Sequence, residues 1–399
     1  MPTLSASLSP PASEQAQEPL ALYVHWPFCV SKCPYCDFNS HVRAEVDMAG
    51  WRKALLADLA HEAALLPGRR LGSIFFGGGT PSLMPPSIAE ALIDAAAGHW
   101  QAGPELEITL EANPSSVEAS NFRAFAAAGV NRASLGLQAL DDEALRFLGR
   151  AHDVAEGLKA LDVAQSAFDR VSFDLIYARP GQTQAEWRAE LNRALGFGSS
   201  HLSLYQLTIE PGTRFATLAS RGELTIPCDD DAADLLTLTQ ELTAAAGLPA
   251  YEVSNHARPG EESRHNLTYW RYGDYAGIGP GAHGRRRGSA TVRHRKPENW
   301  INAVASQGHG LVEESPLTPA DRAREALLMG LRLADGIDPL LFEHRTGVAL
   351  DRLIAGDARA RLAAHGLIDG GQARLKATPA GMLVLNALIA ELVSDREIT

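Results

Sequence analysis

The alternation of two kinds of segment constrains the fold of this chain more than any other feature of its sequence. Between residues 20 and 207, short apolar runs rich in β-branched and aromatic residues alternate with longer stretches of helical periodicity. Such alternation is typical of repeated βα units that form a parallel sheet. The runs that we predict as strands are residues 20–24, 72–76, 105–111, 132–136, 170–176 and 201–207.

Six βα units suit a partial barrel, whereas a closed eight-stranded barrel needs two more units. The predicted helices of these units are residues 48–66, 87–100, 117–128, 154–167 and 183–195. After the last strand, a corner at Pro211 and Gly212 leads into a less regular region. There we predict a helix over residues 231–245, a strand over 250–253 and a glycine-rich, site-building stretch over 273–284. The predicted fold class is therefore α/β, a partial (β/α)6 barrel in its open form.

The same patterns divide the chain into four parts. Residues 1–19 are rich in Pro and Ser and lack periodicity, so we predict a disordered tail. Because this tail contains no Lys or Arg, it matches neither a secretory signal nor a mitochondrial presequence, and we expect a cytoplasmic protein. The barrel occupies residues 20–210 and its extension residues 211–316. In residues 317–399, helical patterns precede a short strand-like run and a final helix over 379–393, which predicts a small winged-helix-like domain.

Composition excludes several classes of protein. The chain carries 36 Lys and Arg against 48 Asp and Glu, a net charge of −12, so no general attraction to nucleic acid or anionic lipid is expected. No window approaches eighteen uncharged apolar residues, and we predict no transmembrane segment. An apolar content of 45% with 21% charged residues describes a soluble globular chain. These numbers leave homodimerisation open.

A cluster of cysteines indicates a metal centre. Cys29, Cys33 and Cys36 form a CxxxCxxC motif directly after the first predicted strand, whereas Cys228 is isolated. Soft thiolate ligands favour iron–sulfur clusters or zinc. Three thiolates on a four-iron, four-sulfur cluster leave one iron without a protein ligand and open to a substrate. The alternative is a structural zinc ion with Cys228, His25 or His41 as its fourth ligand.

The surrounding residues make the motif specific. CxxxCxxC with Tyr35 before the third cysteine resembles the signature of radical S-adenosylmethionine (SAM) proteins. The longer string LYVHWPFCVSKCPYCDFNSH, residues 22–41, resembles the family of oxygen-independent coproporphyrinogen oxidases and their relatives, the HemW-type heme chaperones. This resemblance extends from Tyr23 into the C-terminal domain. It implies a partial barrel of six βα units, a 4Fe-4S cluster on Cys29, Cys33 and Cys36, and SAM as a cofactor.

The resemblance also implies a set of SAM-contacting residues. Most of them follow different predicted strands, and barrel proteins build their sites at the carboxyl ends of the strands. At Gly77-Gly78-Gly79, absent side chains let the backbone approach a ligand and offer it N–H donors. Taken singly, the two carboxylates in the set fit strand-end groups satisfied by backbone donors, and the arginine fits a surface cation. The implied contacts are Tyr23, Tyr35, Gly78, Gly79, Thr80, Glu111, Gln138, Arg150 and Asp174.

The chemistry implied by the resemblance is reductive cleavage of SAM, which yields a 5′-deoxyadenosyl radical. Such a radical must be kept from solvent, and apolar side chains beside the cysteines suit that exclusion, although they also suit an ordinary core. These side chains are Trp26, Pro27, Phe28 and Phe38.

Three features separate the two branches of the family. The oxidases carry a fourth cysteine two positions after the third, where this chain has Phe38, and they carry a longer structured N-terminal arm. Residues 265–270, HNLTYW, match the HNxxYW motif of the heme chaperones. In that branch His265 is implied as a heme ligand, or as a residue that orients another ligand, and the aromatic residues offer flat surface to the macrocycle.

These features imply a radical SAM heme chaperone that delivers heme to acceptor apoproteins, free or membrane-bound, from a candidate heme site in the extension. An oxygen-independent coproporphyrinogen III oxidase is the alternative. An RNA-modifying radical SAM enzyme is disfavoured, because the net charge is negative and no RNA-binding module accompanies the barrel. Residues 285–296 hold six cations and no acid, which predicts a local positive field for heme propionates, an anionic membrane or an acidic partner. A solvated basic hairpin is the other interpretation.

Overall fold

The structure is a computed structural model that describes residues 18–354, 356–371 and 373–393. The predicted tail over residues 1–19 therefore lies almost wholly outside the described residues. In chain order, the strands are β1 (Pro19–Trp26), β2 (Phe28–Cys29), β3 (His41–Val42), β4 (Arg70–Gly78), β5 (Gln101–Ala112), β6 (Arg132–Gln138), β7 (Arg170–Tyr177), β8 (His201–Gln206), β9 (Asn255–Ala257), β10 (Tyr275–Ile278), β11 (His283–Arg286), β12 (Ser289–Arg293) and β13 (Leu311–Pro316).

The helices fill the connections between these strands and most of the C-terminal region. In chain order, they are α1 (Met48–Leu65), α2 (Pro86–His99), α3 (Ser116–Ala119), α4 (Phe122–Ala127), α5 (Asp142–Phe147), α6 (Val154–Ala167), α7 (Gln184–Leu195), α8 (Arg214–Ser220), α9 (Asp229–Ala245), α10 (Arg264–Trp270), α11 (Pro297–Gln307), α12 (Pro319–Gly330), α13 (Pro339–Thr346), α14 (Leu350–Leu353), α15 (Gly356–Ala364), α16 (Pro379–Leu383) and α17 (Leu385–Leu392).

The predicted partial barrel is confirmed. Strands β1, β4, β5, β6, β7 and β8 are neighbours in that order and pair in parallel. Each coincides with one of the six predicted apolar runs. The sheet has two ends, β13 and β9, so the barrel is open.

The sheet continues beyond the six units in a way that the sequence did not predict. Strand β10 pairs in parallel with β1, and β11, β12 and β13 follow as antiparallel neighbours, so the glycine-rich stretch becomes part of the sheet. In place of the strand predicted over residues 250–253, the structure has isolated antiparallel bridges from Ala250 to His256 and from Glu252 to Leu333. The strand of this region is β9, which pairs antiparallel with β8. The predicted helix over 117–128 is interrupted and forms α3 and α4.

The two faces of the barrel strands differ in polarity. On β1, the fully buried Leu22, Val24 and Trp26 belong to the main hydrophobic core. Because side chains alternate along a strand, Tyr23 and His25 lie on the other face, where the Tyr23 hydroxyl and His25 Nδ1 are 2.9 Å apart. The interior of the barrel is therefore polar, which is where a site needs its donors and acceptors.

Helix α10 lies against the end of the barrel at which the strands begin. Glu107 on β5 accepts hydrogen bonds from the backbone N–H groups of Arg264 at 3.2 Å and His265 at 3.1 Å. It also pairs with Arg170, the first residue of β7, at 2.8 Å. Burial raises the pKa of Glu107, but the charge of Arg132, the His265 amide and Arg170 outweigh it, and the net shift is downward. An ionised carboxylate thus fixes the start of α10 to this end of the barrel, which we call the floor.

A buried ion network fixes the strand extension to the barrel helices. Asp58 and Glu62 lie one turn apart on α1. The guanidinium of Arg293 on β12 lies 2.7 Å from Asp58 and 2.9 Å from Glu62, and Arg286 on β11 lies 2.8 Å from Glu62. Trp300 donates its indole N–H to Asp58 at 3.1 Å. Each of these charges has a close partner, as buried ions require.

Both interpretations of residues 285–296 assumed six surface cations, and the structure shows that only half of the six are exposed. Three of the six predicted surface cations, Arg285, Arg286 and Arg293, are at most 5% exposed. They consequently contribute neither a surface field nor a solvated hairpin. Arg287, Arg295 and Lys296 remain exposed.

The C-terminal region has its own hydrophobic core, formed mainly by α12 to α17. Antiparallel bridges between Ile368 and Ala377 and between Ile337 and Leu375 supply the short β segment that the sequence predicts after the helices. The predicted final helix is divided into α16 and α17. Within the described ranges, no helix has the length and apolar character needed to cross a bilayer.

We predict that Arg293→Gln lowers the free energy of unfolding by about 3 kcal/mol or more, because it leaves the buried Asp58 and Glu62 carboxylates short of a counter-charge. Arg43→Gln is the matched control. Arg43 pairs with Glu298 at 2.6 Å, but the two side chains are 39% and 59% exposed, so a loss below about 1 kcal/mol is expected. Denaturant unfolding measures both values. Equal losses would contradict the structural role of the buried network.

Candidate functional site

A cavity of about 400 Å³ opens at the carboxyl ends of the barrel strands. It is where the predicted site residues meet, because parallel strands bring their carboxyl ends to one edge. Tyr23, Gly78 and His265 do not line it. The predicted residues that do are Cys29, Cys33, Tyr35, Cys36, Gly79, Thr80, Glu111, Gln138, Arg150 and Asp174.

The three cysteines lie on one loop and face this cavity. Cys29 ends β2, which pairs with β3, and a backbone hydrogen bond from Cys36 to the Cys33 carbonyl closes the following turn at 3.2 Å. Thr80 Oγ1 donates to the sulfur of Cys29 at 3.4 Å. Burial raises the pKa of Cys29 and of Cys36. Free thiols are therefore favoured until a metal centre binds and takes up the negative charge.

The glycine triplet holds the start of the cysteine loop. The Gly79 N–H donates to the Trp26 carbonyl at 2.7 Å, and the Thr80 N–H donates to the Phe28 carbonyl at 2.8 Å. A Cβ at Gly79 would lie 2.8 Å from the Phe28 oxygen. These amides are thus occupied by the start of the cysteine loop, and the small residues let that loop lie directly on the end of β4.

Tyr23 and Gly78 contact His25, which in turn bonds the segment that follows the cysteines. The Gly78 φ is +111°, and a Cβ there would lie 2.5 Å from the His25 ring. His25 bonds to Tyr23 through Nδ1 and to the Asn39 carbonyl through Nε2, each at 2.9 Å. Both ring nitrogens of His25 are therefore used within the chain.

The zinc alternative finds no fourth ligand at the cysteines. Cys228 is exposed, bonds Asp231 at 3.1 Å, and does not line the cavity. His25 and His41 do not line it either.

Arg150 is a buried cation at the cavity wall. Its Nη1 donates to the Cys33 sulfur at 3.3 Å, and its Nη2 donates to Asn113 Oδ1 at 2.6 Å and to the Gly136 carbonyl at 3.0 Å. Its buried Nε has no acceptor among the described residues. The predicted alternative of a surface cation is wrong. A buried guanidinium with a free donor suits a carboxylate ligand in the cavity.

Two largely buried carboxyl groups line the same cavity. Burial, followed by the charge of Asp174, raises the pKa of Glu111 to about 8. Burial also raises the pKa of Asp174 to about 6, although hydrogen bonds from Ser203 and Ser134 oppose the shift. Neither group has a salt-bridge partner among the described residues. Such acids ionise more readily when a cation binds beside them.

Near the strand ends lie Gln138, whose backbone is strained, and two polar residues, Asn113 and Glu118, that the sequence did not single out. Gln138 ends β6 with φ +68°, a conformation that non-glycine residues adopt at a cost. Asn113 Nδ2 donates to Thr80 Oγ1 at 3.1 Å, so it links the glycine segment to Arg150. The Glu118 carboxylate accepts from the Asn113 N–H at 2.8 Å. Asn113 follows the end of β5, and that position was the signal that could have identified it.

His265 lies at the opposite end of the barrel from the cysteines. It is 1% exposed, and its ring stacks on Phe75 with the centroids 4.8 Å apart. Nδ1 is 3.0 Å from Ser73 Oγ, and Nε2 is 2.9 Å from the Tyr269 hydroxyl. Burial lowers the pKa of His265 to about 3. Neither nitrogen is open to a metal in this arrangement.

The site fits an iron–sulfur cluster and SAM. Three soft sulfur ligands face one cavity, and buried donors at Thr80 and Arg150 are aimed at two of the sulfurs, as thiolate ligands require. The unpartnered Nε of Arg150 and the two buried acids match the carboxylate and the positive charges of SAM.

Comparisons with known proteins agree with this arrangement. Residues 23–194 match the model of the Radical SAM superfamily, and residues 317–384 match that of the HemN C-terminal domain. The chain is 38% identical over 395 residues to radical S-adenosyl methionine domain-containing protein 1, mitochondrial, from Bos taurus. That alignment covers 96% of this chain and 88% of the bovine protein. The chain is 39% identical over 340 residues to heme chaperone HemW from Escherichia coli. That alignment covers 84% of this chain and 88% of the Escherichia coli protein.

A solved structure shows the same fold. The structure of coproporphyrinogen III oxidase (HemN) from Escherichia coli, described as a radical SAM enzyme, has a TM-score of 0.79 to this chain. It covers 95% of this chain and 92% of that one at 23% identity. The likeness is one of fold.

We predict that Glu111→Gln changes the pH dependence of stability. The folded chain holds the Glu111 proton up to a pKa of about 8, against an ordinary value of 4.5, so the free energy of unfolding falls as pH rises through this window. The glutamine variant lacks this loss, and its melting temperature should rise relative to the parent between pH 5 and 9. The cluster-loaded protein without SAM is the sample, and exposed Glu90→Gln is the control. A constant difference between parent and variant across this range would contradict the assignment.

Proposed function

The chain belongs to the radical SAM family that includes the HemW heme chaperones, and from this membership we propose that it binds heme and delivers it to acceptor apoproteins without oxidising coproporphyrinogen. The relative from Escherichia coli is named a heme chaperone, and the alignment with it covers 84% of this chain. Family membership also implies a 4Fe-4S cluster and SAM as cofactors.

The observation that carries the distinction from the oxidase is Phe38. This residue lines the cavity and is 57% exposed, at the position where the oxidases carry a fourth cysteine. An apolar ring at the cavity mouth supplies neither the thiol nor a hydrogen-bonding group to a substrate there. The alternative, a coproporphyrinogen III oxidase, has a structural likeness at 23% identity behind it, which bears on fold alone.

Within this function, we assign the cluster to Cys29, Cys33 and Cys36. When bound, the cluster supplies the electron that cleaves the sulfonium of SAM. The buried charge of Arg150, 3.3 Å from the Cys33 sulfur, stabilises that thiolate. Its free Nε is a donor for the SAM carboxylate, and Glu111 and Asp174 are acceptors for the cationic groups of SAM.

The remaining members of the SAM set divide into two groups. Tyr35, Gly79, Thr80 and Gln138 line the cavity and are proposed to contact SAM directly. We propose that Tyr23 and Gly78 act from outside the cavity, through the His25 ring that both of them contact. The first group shapes the ligand's surroundings, and the second positions the loop that carries the cysteines.

We propose that His265 orients its neighbours and is not a heme ligand in the described arrangement. Both of its nitrogens are occupied, by Ser73 and Tyr269, and ligation would break one of these buried hydrogen bonds. The His265 ring instead fixes Tyr269 inside the barrel, while Trp270 at the end of the same helix lines a groove toward the C-terminal domain. The heme site proposed for the extension is then outside the barrel.

The acceptor apoproteins, the cytoplasmic location and a homodimer stay predictions. The relatives include bacterial proteins and a protein named as mitochondrial, so membership of the family does not decide the compartment.

The test of the proposed function separates binding from turnover. After anaerobic cluster reconstitution, heme titration followed in the Soret region should saturate, and coproporphyrinogen supplied with SAM and reductant should be recovered unchanged by chromatography. Phe38→Cys is the matched variant, and it should not create oxidase activity, because a single thiol does not by itself supply a substrate site. Vinyl-group formation by the parent protein would overturn the proposal, and so would absence of saturable heme binding.

A further inference from the structure

A small cavity of about 60 Å³ lies where the strand extension meets the C-terminal helices, and none of the three loop cysteines lines it. Its walls are unusually rich in positive charge for a chain whose net charge is −12. The acids that line it are Glu18 and Asp274. The arginines that line it are Arg69, Arg285, Arg287, Arg322 and Arg345.

The two acids neutralise only part of this charge. Arg69 pairs with Asp274 at 2.8 Å, and Arg345 pairs with Glu18 at 3.2 Å. Within the described ranges, the guanidinium groups of the other three arginines make no salt bridge. The nearby Glu325 is engaged by the Tyr272 hydroxyl at 2.7 Å. Positive charge therefore remains in excess even when Glu325 is counted.

Three guanidinium donors in these walls are buried and unpartnered. The Nε atoms of Arg69, Arg285 and Arg322 find no hydrogen-bond acceptor in the part of the chain that the structure describes. Arg69 and Arg285 are each 5% exposed. Buried N–H groups of native proteins are nearly always bonded, so three orphans around one cavity point to an acceptor that is not part of the chain.

The geometry holds these arginines in place without such a ligand. Arg285 stacks on the Tyr272 ring, with 3.6 Å from its central carbon to the ring centroid, and donates to the Gly273 carbonyl at 2.9 Å. Burial, with the charges of Arg271 and Arg285, lowers the pKa of Arg345 despite its pairing with Glu18. A preformed, positively charged cavity results, which is the arrangement that oxyanion sites use.

We propose that this arginine cavity binds an oxyanion group, a carboxylate or a phosphate. Planar guanidinium groups match both through paired N–H donors. The volume suits one such group and not a macrocycle. Tyr272 and Arg345 also line the adjoining apolar groove, together with Trp270 and Phe342. The oxyanion is consequently either free phosphate or, on the basis of the proposed function, a propionate of a heme whose macrocycle lies outside the cavity.

The experiment compares two substitutions on α12. Arg322→Gln removes a cavity cation at similar volume, and Arg324→Gln, two residues along the same helix, removes an exposed one outside the cavity. Calorimetric titration with inorganic phosphate, and heme titration against heme dimethyl ester, are run on the full-length, cluster-loaded protein. Arg322→Gln should lower the affinity for the oxyanion about tenfold. Arg324→Gln should leave its affinity unchanged.

The outcomes identify the source of the oxyanion. Phosphate binding that Arg322→Gln weakens supports a free-anion site. Heme binding that is weakened both by this substitution and by esterification supports a propionate. The proposal is overturned if phosphate does not bind and Arg322→Gln leaves heme affinity unchanged. Phosphate binding without any heme binding would defeat the proposed function and leave this site standing. If Arg322→Gln does not fold, Arg287→Gln replaces it, because Arg287 is exposed on a hairpin turn.

Discussion

The cysteine loop depends on its contact with the end of β4. Two backbone hydrogen bonds, from Gly79 to the Trp26 carbonyl and from Thr80 to the Phe28 carbonyl, hold the loop there at 2.7 and 2.8 Å. A side chain at Gly79 would push the loop away, because its Cβ would lie 2.8 Å from the Phe28 oxygen. Because β4 is a central strand, the loop is fixed over the same edge at which β5, β6 and β7 end. The three cysteines and the polar strand ends are thereby brought to one cavity.

The two ends of the barrel treat buried charge in opposite ways. At the floor, Glu107 has Arg170 and two helix N–H groups around it, and its pKa is lowered although burial opposes this. At the mouth, Glu111 accepts the Gly78 N–H at 3.3 Å and Asp174 accepts the Ser134 hydroxyl at 3.3 Å. Neither carboxyl group has a salt bridge among the described residues, and burial raises the pKa of both. The carboxylate at the floor therefore has its counter-charge within the chain, whereas the carboxyl groups at the mouth would need a cationic ligand to supply one. This difference agrees with a structural role for α10 and a binding role for the strand ends.

The sequence predicted the parts of the structure that depend on local pattern. The six barrel strands follow from apolar runs, and the cysteine triad follows from its spacing. The additional strands could not be found in this way. Strand β10 pairs with β1, and the paired residues are more than 240 positions apart in the sequence, so no local pattern reports the pairing. The role of Arg293 was also hidden, since its partners Asp58 and Glu62 lie on a distant helix. For His265, the motif identified the residue, but only the fold shows that Ser73 and Tyr269 occupy both of its nitrogens.

The central claim is that the cavity at the strand ends holds an iron–sulfur cluster with one iron open to SAM. Electron paramagnetic resonance of the reduced, reconstituted protein tests it most directly, with iron and sulfide analysis of the same sample. We expect one 4Fe-4S cluster whose spectrum changes when SAM is added, because SAM would bind the open iron. A cluster spectrum indifferent to saturating SAM, or a single zinc ion in place of the cluster, would contradict it.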